Sequence, residues 1–462
     1  MTGPAETNAR AVDLLPVTYL EEEWVSAVDM RASDHNLPLA ISIEGPFDHG
    51  VLLDALRALA ARHETLRMAF VPGEEGIRRA LWPMADPGIY TADLASVAED
   101  ERDRQLDSMI LAEARRPTDL TRAPLWRGFV ARLSPVHHVL VMVYHHVIFD
   151  GWSTRVAFRD LTSLYASALC RERPRLPELT IQLADYAGWE RQLRLPDDAV
   201  AHWRGALPGE TAALPMDREA GHGPQVIAGR AYPAIPASQV SQLDAIAGAA
   251  GVTLTSALRS VVLTALRPYL PEQVVIGCVH GNRERPELQP IIGLLSDHLP
   301  VRVDLSGRLS FLDLITRVHA AVRAARRHQA PSGSIASVVP SLPVGEQMFE
   351  ISINNMRHSA PLVERVTAPD GAVVTFSVRD VAAAGLWPRI RHAFSGGVRL
   401  GYQLRQALSG QVSGEIWGHV PAFQTATIDA LGRAFAETAG KIVSDPRRDI
   451  KAHAPVPGPR QR

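Results

Sequence analysis

The stretch Tyr144-His145-His146-Val147-Ile148-Phe149-Asp150-Gly151 ends a long apolar run and leads into a helical pattern. The run predicts a buried strand, so the histidine doublet stands at the end of that strand. Asp150-Gly151 predicts a tight turn, in which glycine supplies a backbone conformation closed to other residues. A neutral imidazole held there can accept a proton from a nucleophile. The stretch therefore predicts a proton-transfer site in a mixed α and β protein.

A second doublet, His137-His138, precedes the same strand, and no Asp-Gly follows it at the matching offset. We interpret these two histidines as ordinary residues, either exposed or hydrogen-bonded. The comparison indicates that the Asp-Gly downstream of a doublet, and not the doublet itself, carries the functional information.

Bulk properties narrow the class of protein. The 462 residues exceed the roughly 250–300 at which one hydrophobic core stops growing, so two lobes are expected. The net charge of −2 gives no general attraction to nucleic acid or anionic lipid. The two cysteines, Cys170 and Cys278, predict neither a disulfide framework nor a zinc site. With no apolar signal core and no run long enough for a membrane span, we expect a cytoplasmic protein.

The Pro-rich break over 171–179 predicts the lobe boundary. It gives an N-terminal lobe over 1–177, a C-terminal lobe over 178–455 and a disordered tail over 456–462. Thr18-x-x-Glu21 reads as a capping box that opens a helix. The other predictions used below are strands over 65–71 and 139–144, a helix with Ser153 as its N-cap, and helices over 254–269 and 311–327.

His145-His146-x-x-x-Asp150-Gly151 resembles the signature of condensation domains of nonribosomal peptide synthetases, shared more loosely with chloramphenicol acetyltransferase. Further segments resemble other motifs of that family in the family's order: 62–67, 184–189, 281–283, 292–295 with Leu299-Pro300, His328-Gln329, and the strand over 349–354. The resemblance spans roughly residues 14–450 and identifies the chain as a member of that family.

The resemblance implies an α/β fold of two chloramphenicol-acetyltransferase-like lobes in a V-shaped pseudo-dimer with a central tunnel. The C-terminal lobe would contribute crossover floor-loop and latch elements. Carrier proteins would dock at the two tunnel ends. No cofactor would be bound, because the carrier supplies the phosphopantetheine thioester.

The same resemblance implies the site residues. His146 would be the catalytic histidine, with His145 and Gly151 beside it. Asp150 would form a structural ion pair with Arg283. The candidates for lining the substrate tunnel are Trp152, Asp297, His298 and Asn354, and no metal is expected.

Three departures from the family pattern indicate a specialised member. The first motif carries Glu21, Glu22 and Glu23 where glutamine and arginine are common, and the sixth carries Ala330 in place of aspartate. Asp297-His298 replaces Asn-Thr in the fifth motif, which fits either an unusual acceptor or a surface-facing pair. A basic helix face with Arg323, Arg326 and Arg327 fits either a solvated face or a carrier-protein contact.

These features predict a free-standing condensation enzyme of natural-product biosynthesis, such as a peptide or hybrid antibiotic pathway. It would join an acyl or aminoacyl thioester on a discrete peptidyl or acyl carrier protein to an amine or hydroxyl, giving an amide or an ester. The acceptor would be a small molecule or a second carrier protein, and the enzyme a monomer. Two alternatives stay open: an acyltransferase of the same superfamily that uses coenzyme A, and a non-enzymatic docking domain.

Overall fold

Strands and helices alternate along most of the chain in the structure, a computed structural model that describes residues 13–31, 35–74, 76–207, 212, 214–217, 226–339, 348–357, 362–381, 398–407, 409–420 and 422–454. The described strands are β1 (Asp13–Leu15), β2 (Asn36–Glu44), β3 (Met68–Gly73), β4 (Gly76–Leu81), β5 (Tyr90–Asp93), β6 (Trp126–Ser134), β7 (His137–His145), β8 (Val226–Ala231), β9 (Ala234–Ile235), β10 (Gln273–His280), β11 (Asp297–Asp304), β12 (Ile351–Arg357), β13 (Val363–Thr367), β14 (Val373–Val378), β15 (Leu400–Gln406) and β16 (Val412–Val420). The described helices are α1 (Tyr19–Ala27), α2 (His49–Arg62), α3 (Glu99–Arg115), α4 (Gly151–Cys170), α5 (Leu183–Gln192), α6 (Asp197–Ala206), α7 (Ala237–Ala249), α8 (Leu254–Ala265), α9 (Phe311–Arg327), α10 (Ser332–Ser337), α11 (Thr425–Ser444) and α12 (Ile450–His453). The mixed α/β class predicted from the sequence is confirmed.

The described residues divide into two compact units. The first comprises those within Met1–Gln192, Gly281–Ser296 and Pro361–Arg391, and the second those within Leu193–His280, Asp297–Ala360 and His392–Arg462. The sequence predicts the boundary after residue 177, but α5 belongs to the first unit. Its Glu190 accepts the Tyr19 N–H at 2.7 Å, and its Ala184 N–H donates to Glu64 at 2.6 Å.

Strand β7 lies inside the main sheet of the first unit, whose order is β13-β14-β2-β7-β6-β5. Successive side chains of a strand point to opposite faces. Leu140, Met142 and Tyr144 accordingly join one hydrophobic cluster, and the intervening Val139, Val141 and Val143 join another. The unbroken apolar run of the sequence is therefore explained by burial on both faces.

Helix caps in the first unit follow the sequence closely, with one correction. Thr18 and Glu21 form the predicted capping box of α1. Helix α4, however, begins at Gly151 and is capped by Asp150, while Ser153 is the third helical residue and completes a capping box. The prediction of Ser153 as the N-cap is therefore wrong, because the Asp150 carboxylate, three positions earlier, accepts the Ser153 N–H at 2.9 Å and caps the helix.

The strand predicted over 65–71 is also corrected. Glu64–Arg67 is a 3-10 turn, and β3 starts at Met68. Tertiary contacts hold the turn, because Thr65 donates to the Ile292 carbonyl at 2.9 Å and Arg79 donates to Glu64 at 3.1 Å. Side-chain partners far away in the sequence thus override local β propensity.

The second unit is built on a sheet with the order β11-β10-β12-β15-β16-β8, to which β9 adds by pairing with β16. Helix α9 spans 311–327 as predicted and is opened by a Ser310 capping box. Helix α8 ends at Ala265, short of the predicted Tyr269, and a separate 3-10 turn follows. Pro268 explains the difference, since it lacks the N–H that a continuing helix would use.

In the described part of the chain, no single helix has both the length and the hydropathy of a membrane span. Helices α7 and α8 meet those two criteria only as a pair, bent by 109° at the break between them. The predicted disordered tail over 456–462 lies outside the described residues.

Candidate active site

The site is built where β7 ends. The strand closes at His145, a 3-10 turn covers His146–Ile148, and α4 begins at Gly151. Phe149 folds back onto the strand, its ring stacked on Tyr144 with centroids 4.0 Å apart and planes 5° from parallel. This stacking fixes the turn against the end of the sheet.

His145 is held by the protein around it. It is 1% exposed, and its Nδ1 accepts the Val147 N–H at 3.1 Å. Burial is the main reason that the pKa of His145 lies well below its ordinary value of 6.5. The nearby His35 and His146 lower this pKa further through charge repulsion. This neutral, hydrogen-bonded imidazole shapes the turn.

His146 is partly exposed, unlike its neighbour. Its backbone N–H donates to the His35 carbonyl at 2.7 Å, and its own carbonyl accepts the Phe149 N–H at 3.1 Å. Burial lowers the pKa of His146 below 6.5, and the charge of Asp150 and nearby backbone carbonyls offset this only in part. The ring is therefore neutral at neutral pH, the form that accepts a proton.

Asp150 has both carboxylate oxygens fully engaged. Oδ2 accepts from Arg283 Nη1 at 2.7 Å, from the Leu295 N–H at 3.2 Å, and from the N–H and Oγ of Ser296, both at 2.9 Å. Oδ1 accepts from the N–H and Oγ of Ser153 at 2.9 and 2.8 Å. Burial would raise the pKa of Asp150, but Arg283 and these hydrogen bonds outweigh it and lower the pKa from 3.8 to about 2.

The ion pair between Asp150 and Arg283 is present as the resemblance implied, and it is buried, with side chains 1% and 2% exposed. Arg283 Nη1 also donates to the Gly281 carbonyl at 3.1 Å, and Nη2 to that of Gly293 at 3.2 Å. The pair thereby joins the segment over 281–296 to the start of α4. Asp150 is committed to these contacts and is not hydrogen-bonded to the His146 ring.

Gly151 is an exposed first residue of α4, and the sequence-based reason for glycine there is wrong. It is absent from the glycines with positive φ, so its backbone conformation is open to any residue. A Cβ added at Gly151 would meet no atom within 4 Å. The glycine therefore leaves open space beside the turn. Trp152 is 39% exposed and donates through Nε1 to the Gln289 carbonyl at 2.9 Å.

The remaining predicted residues lie in the second unit. Asp297 accepts the His298 N–H at 2.6 Å and the Ser332 N–H at 3.0 Å. His298 Nε2 lies 2.8 Å from Ser352 Oγ, and burial lowers the pKa of His298 from 6.5 to about 4. Asn354 is partly exposed on β12, opposite Gln403 of β15. Asp297 and His298 thus share one polar network within this unit.

Sequence reasoning missed two neighbours of the histidine doublet, Trp24 and His35. The Trp24 ring lies 4.8 Å from that of His146, and the His35 ring lies 5.9 Å from that of His145. Only the pairing of β2 with β7, which sets Asn36 opposite His145, brings His35 to the site. Among the described residues, no group of three or more His, Cys, Asp or Glu side chains could hold a metal ion.

The chain is similar to known proteins along most of its length. The family model described as Condensation domain matches residues 24–339. Malpinin synthetase from Mortierella alpina is 31% identical over 324 residues, which cover 68% of this chain and 4% of that protein. Phosphinothricin tripeptide synthetase PhsC from Streptomyces viridochromogenes is 31% identical over 294 residues, covering 62% of this chain and 27% of that one. The chain thus spans a small part of these curated relatives.

Two similar solved structures are covered almost completely. The complex of the X-domain and OxyB from teicoplanin biosynthesis contains a chain with a TM-score of 0.73 and 25% identity, covering 97% of this chain and 98% of that one. SgcC5 from Streptomyces globisporus has a TM-score of 0.75 at 22% identity, covering 94% and 100%, and it shows the fold. With the matched family model, these similarities show that the chain belongs to the condensation-domain family, whose members form amide bonds in nonribosomal peptide synthesis from phosphopantetheine thioesters on carrier proteins.

Proposed function

We propose that this chain is a condensation enzyme that joins an aminoacyl or acyl thioester on a separate carrier protein to an amine or a hydroxyl. His146 would act as general base and positioning group. The observation that carries the proposal is the neutral, partly exposed His146 imidazole. The backbone of His146 holds it in a turn that Asp150 and Arg283 stabilise, and neither of these two residues forms a hydrogen bond with the imidazole.

The chemistry needs no covalent enzyme intermediate, because the thioester is already activated. Nδ1 of His146 is buried, so Nε2 would face the reactants. The amine or hydroxyl attacks the thioester carbonyl as its proton passes to Nε2. The tetrahedral intermediate then breaks its C–S bond, and the proton on the imidazolium goes to the departing phosphopantetheine thiolate. An amide or ester and a free thiol result, and His146 is neutral again.

Gly151 would give the phosphopantetheine arm its passage past the turn. Support comes from its exposure and from the empty space where a Cβ would stand. As the first residue of α4, its N–H belongs to the helix end whose backbone donors lack intrahelical partners. That N–H would serve the developing oxyanion of the tetrahedral intermediate.

The acceptor would be a small molecule. Asp297 and His298 replace the family's Asn-Thr, and His298 Nε2 lies 2.8 Å from Ser352 Oγ, which supports an acceptor unlike that of a chain-elongating domain. Both an amine and a hydroxyl fit the mechanism above. A hydroxyl would depend more on His146, because it is a poor nucleophile until it loses its proton.

The carrier protein would contact the C-terminal end of α9, where Arg323, Arg326 and Arg327 are all exposed. Part of this charge stabilises the helix end, since cations favour a helix C-terminus. The cluster also complements an acidic carrier surface. Reversing the three charges to glutamate would raise KM for a loaded carrier protein and leave KM for a small pantetheine thioester unchanged. An unchanged KM for both substrates would argue for a solvated face.

A coenzyme A-dependent acyltransferase is the second candidate, because one similar structure is a starter condensation domain in complex with C8-CoA. The test compares octanoyl and leucyl groups, each carried on a phosphopantetheine carrier protein and on coenzyme A, with amine and alcohol acceptors. Intact-mass spectrometry follows the loss of the acyl group and product release. Faster transfer from the carrier supports the proposal, and equal rates from both would overturn it.

A docking role without chemistry is the third candidate, since another similar structure is an X-domain bound to OxyB. It predicts no acyl transfer from any donor and stable binding of a second protein. Acyl transfer by the unsubstituted protein separates it from the proposal, and His146→Ala then tests whether that transfer depends on the imidazole. Product formation that survives the substitution would contradict the proposed role of His146.

A further inference from the structure

Among the described residues, no side chain forms a hydrogen bond with the His146 ring. Nδ1 is buried and has no hydrogen-bond partner in the described part of the chain. In many acid–base sites a carboxylate bonds that nitrogen and fixes the ring. Here Asp150 is committed to Arg283, Ser153 and Ser296 instead. Beside the backbone carbonyls of His146 and Phe149, side-chain packing is therefore left to set the orientation of the imidazole.

Trp24 provides that packing. It is 6% exposed, and its ring lies 4.8 Å from the His146 ring at an interplanar angle of 44°. It also contacts the edge of His35 at 5.6 Å and 70°. His35 in turn accepts the His146 N–H through its carbonyl at 2.7 Å. One pair of residues thus holds both the backbone and the ring of His146.

Trp24 is itself fixed by the start of α1. Glu21 lies three residues earlier, on the same face of the helix. It closes the capping box with Thr18 and forms an ion pair with Arg79 at 2.6 Å, both side chains being fully buried. The departure of this motif from the family pattern therefore has a structural use, because Glu21 anchors the helix that presents Trp24.

We propose that Trp24 is a positioning residue for His146, setting the direction in which Nε2 points. The inference rests on the proposed role of His146 as base. Aromatic rings at this distance prefer particular mutual arrangements beyond what burial alone gives, so the Trp24 ring favours one orientation of the imidazole. A displacement of about 1 Å at a reacting group can lower the rate about a hundredfold.

The test uses the full chain with three substitutions at this position. Trp24→Leu and Trp24→Met leave the ring of His146 without a flat neighbour, and Trp24→Phe retains one. We expect kcat to fall about tenfold to a hundredfold for the first two, with KM for the loaded carrier unchanged. Phe should restore most of kcat. Met has an unbranched, flexible side chain that fills irregular gaps, so it keeps the test valid should the Leu variant fold poorly.

The pH profile gives a readout that a purely structural role would not move. Burial lowers the pKa of His146, so admitting water beside the ring raises that pKa toward 6.5. The acid limb of kcat/KM should therefore shift to higher pH in the Leu and Met variants and stay in place for Phe. The other ionisable groups facing or flanking this ring are unchanged in all three variants: His35, His145, Asp150 with Arg283, and Glu21 with Arg79.

Trp126→Leu is the matched control. Trp126 is buried in the same hydrophobic cluster, where it stacks on Tyr144 and donates to the Leu66 carbonyl. It should lose stability with no shift of the acid limb. Normal kcat and an unmoved acid limb in Trp24→Leu and Trp24→Met, beside an inactive His146→Ala, would overturn this inference alone. An active His146→Ala would overturn the proposed base, and the inference with it.

Discussion

The two ends of β7 each carry a histidine doublet, and they differ in what surrounds it. His138, at the start of the strand, sits between Ile43 of β2 and Arg132 of β6 in the sheet. Its pKa is lowered by burial, and its Nδ1 has no hydrogen-bond partner in the described part of the chain. His146 shares both properties. A lowered pKa and a ring nitrogen without a hydrogen-bond partner are therefore not enough to identify a general base.

The difference lies in the chain that follows each doublet. After His138 the strand continues, flanked on both sides. After His146 the chain turns, and Asp150 and Arg283 fix that turn beside the open space at Gly151. The comparison teaches that the open space beside the turn, and not a lowered pKa, distinguishes the histidine that we propose as the base from the packed one.

The largest effect is expected from His146→Ala. Removing a general base lowers the rate by about a hundredfold to ten-thousandfold, and the partly exposed ring contributes little to the core. Transfer from an octanoyl-loaded carrier should fall by that factor while the midpoint of urea unfolding stays near that of the wild type. An unfolded variant would give no support to a catalytic role.

Asp150→Ala should lower the stability of the fold, whereas His146→Ala lowers the rate of transfer. The Asp150 substitution leaves the buried Arg283 without its carboxylate, which typically costs about 3–5 kcal/mol of the free energy of unfolding. Arg283→Ala should cost a similar amount. The double variant should cost less than the sum of the two single variants, because they remove the same interaction. Urea unfolding of all three at pH 7 measures this.

The urea unfolding should be measured at neutral pH, because Asp150 is ionised there and its ion pair contributes fully to stability. The pKa of Asp150 is lowered from 3.8 to about 2 in the folded state. Its contribution is therefore complete above pH 3.8 and is lost as the pH falls through about 2. Additive losses in the double variant would show that Asp150 and Arg283 stabilise the turn separately.

Sequence and structure agree best where the signal is local or carried by a family motif. The sequence predicts the capping box of α1 and the bounds of α9. It predicts the partner of Asp150 only through the family resemblance. It does not predict Trp24 and His35, because they reach the doublet only through tertiary packing and the register of β2 against β7. The backbone conformation of Gly151 also needed coordinates, because the sequence does not show whether a glycine has a positive φ.

Gly151→Ala tests the open space directly. A Cβ meets no protein atom there, so the fold should tolerate it, and alanine stabilises by about 0.4–1 kcal/mol because it lowers the conformational entropy of the unfolded chain. If the phosphopantetheine arm passes this point, transfer should fall about tenfold to a hundredfold through misplacement of the thioester. Steady-state transfer from the loaded carrier is the measurement.

Gly248→Ala is the control for that substitution. Gly248 is also exposed, helical and open to an added Cβ, but it lies in α7 of the second unit. It should gain similar stability with unchanged transfer. Equal transfer by the two variants would contradict a passage for the arm beside Gly151.

The smallest effect is expected from replacing the other doublet. His137→Ala/His138→Ala removes the hydrogen bond of His137 to Ser42 at 2.9 Å and the packing of His138 on Phe47 at 4.3 Å. Each loss should cost about 0.5–1.5 kcal/mol of unfolding free energy, and transfer by the folded protein should match the wild type. Because His138 resembles His146 in pKa direction and in its unpaired nitrogen, this variant isolates the contribution of the turn. A loss of transfer as large as that of His146→Ala, in a protein that remains folded, would mean that the two ends of β7 act together and that the turn alone does not define the site.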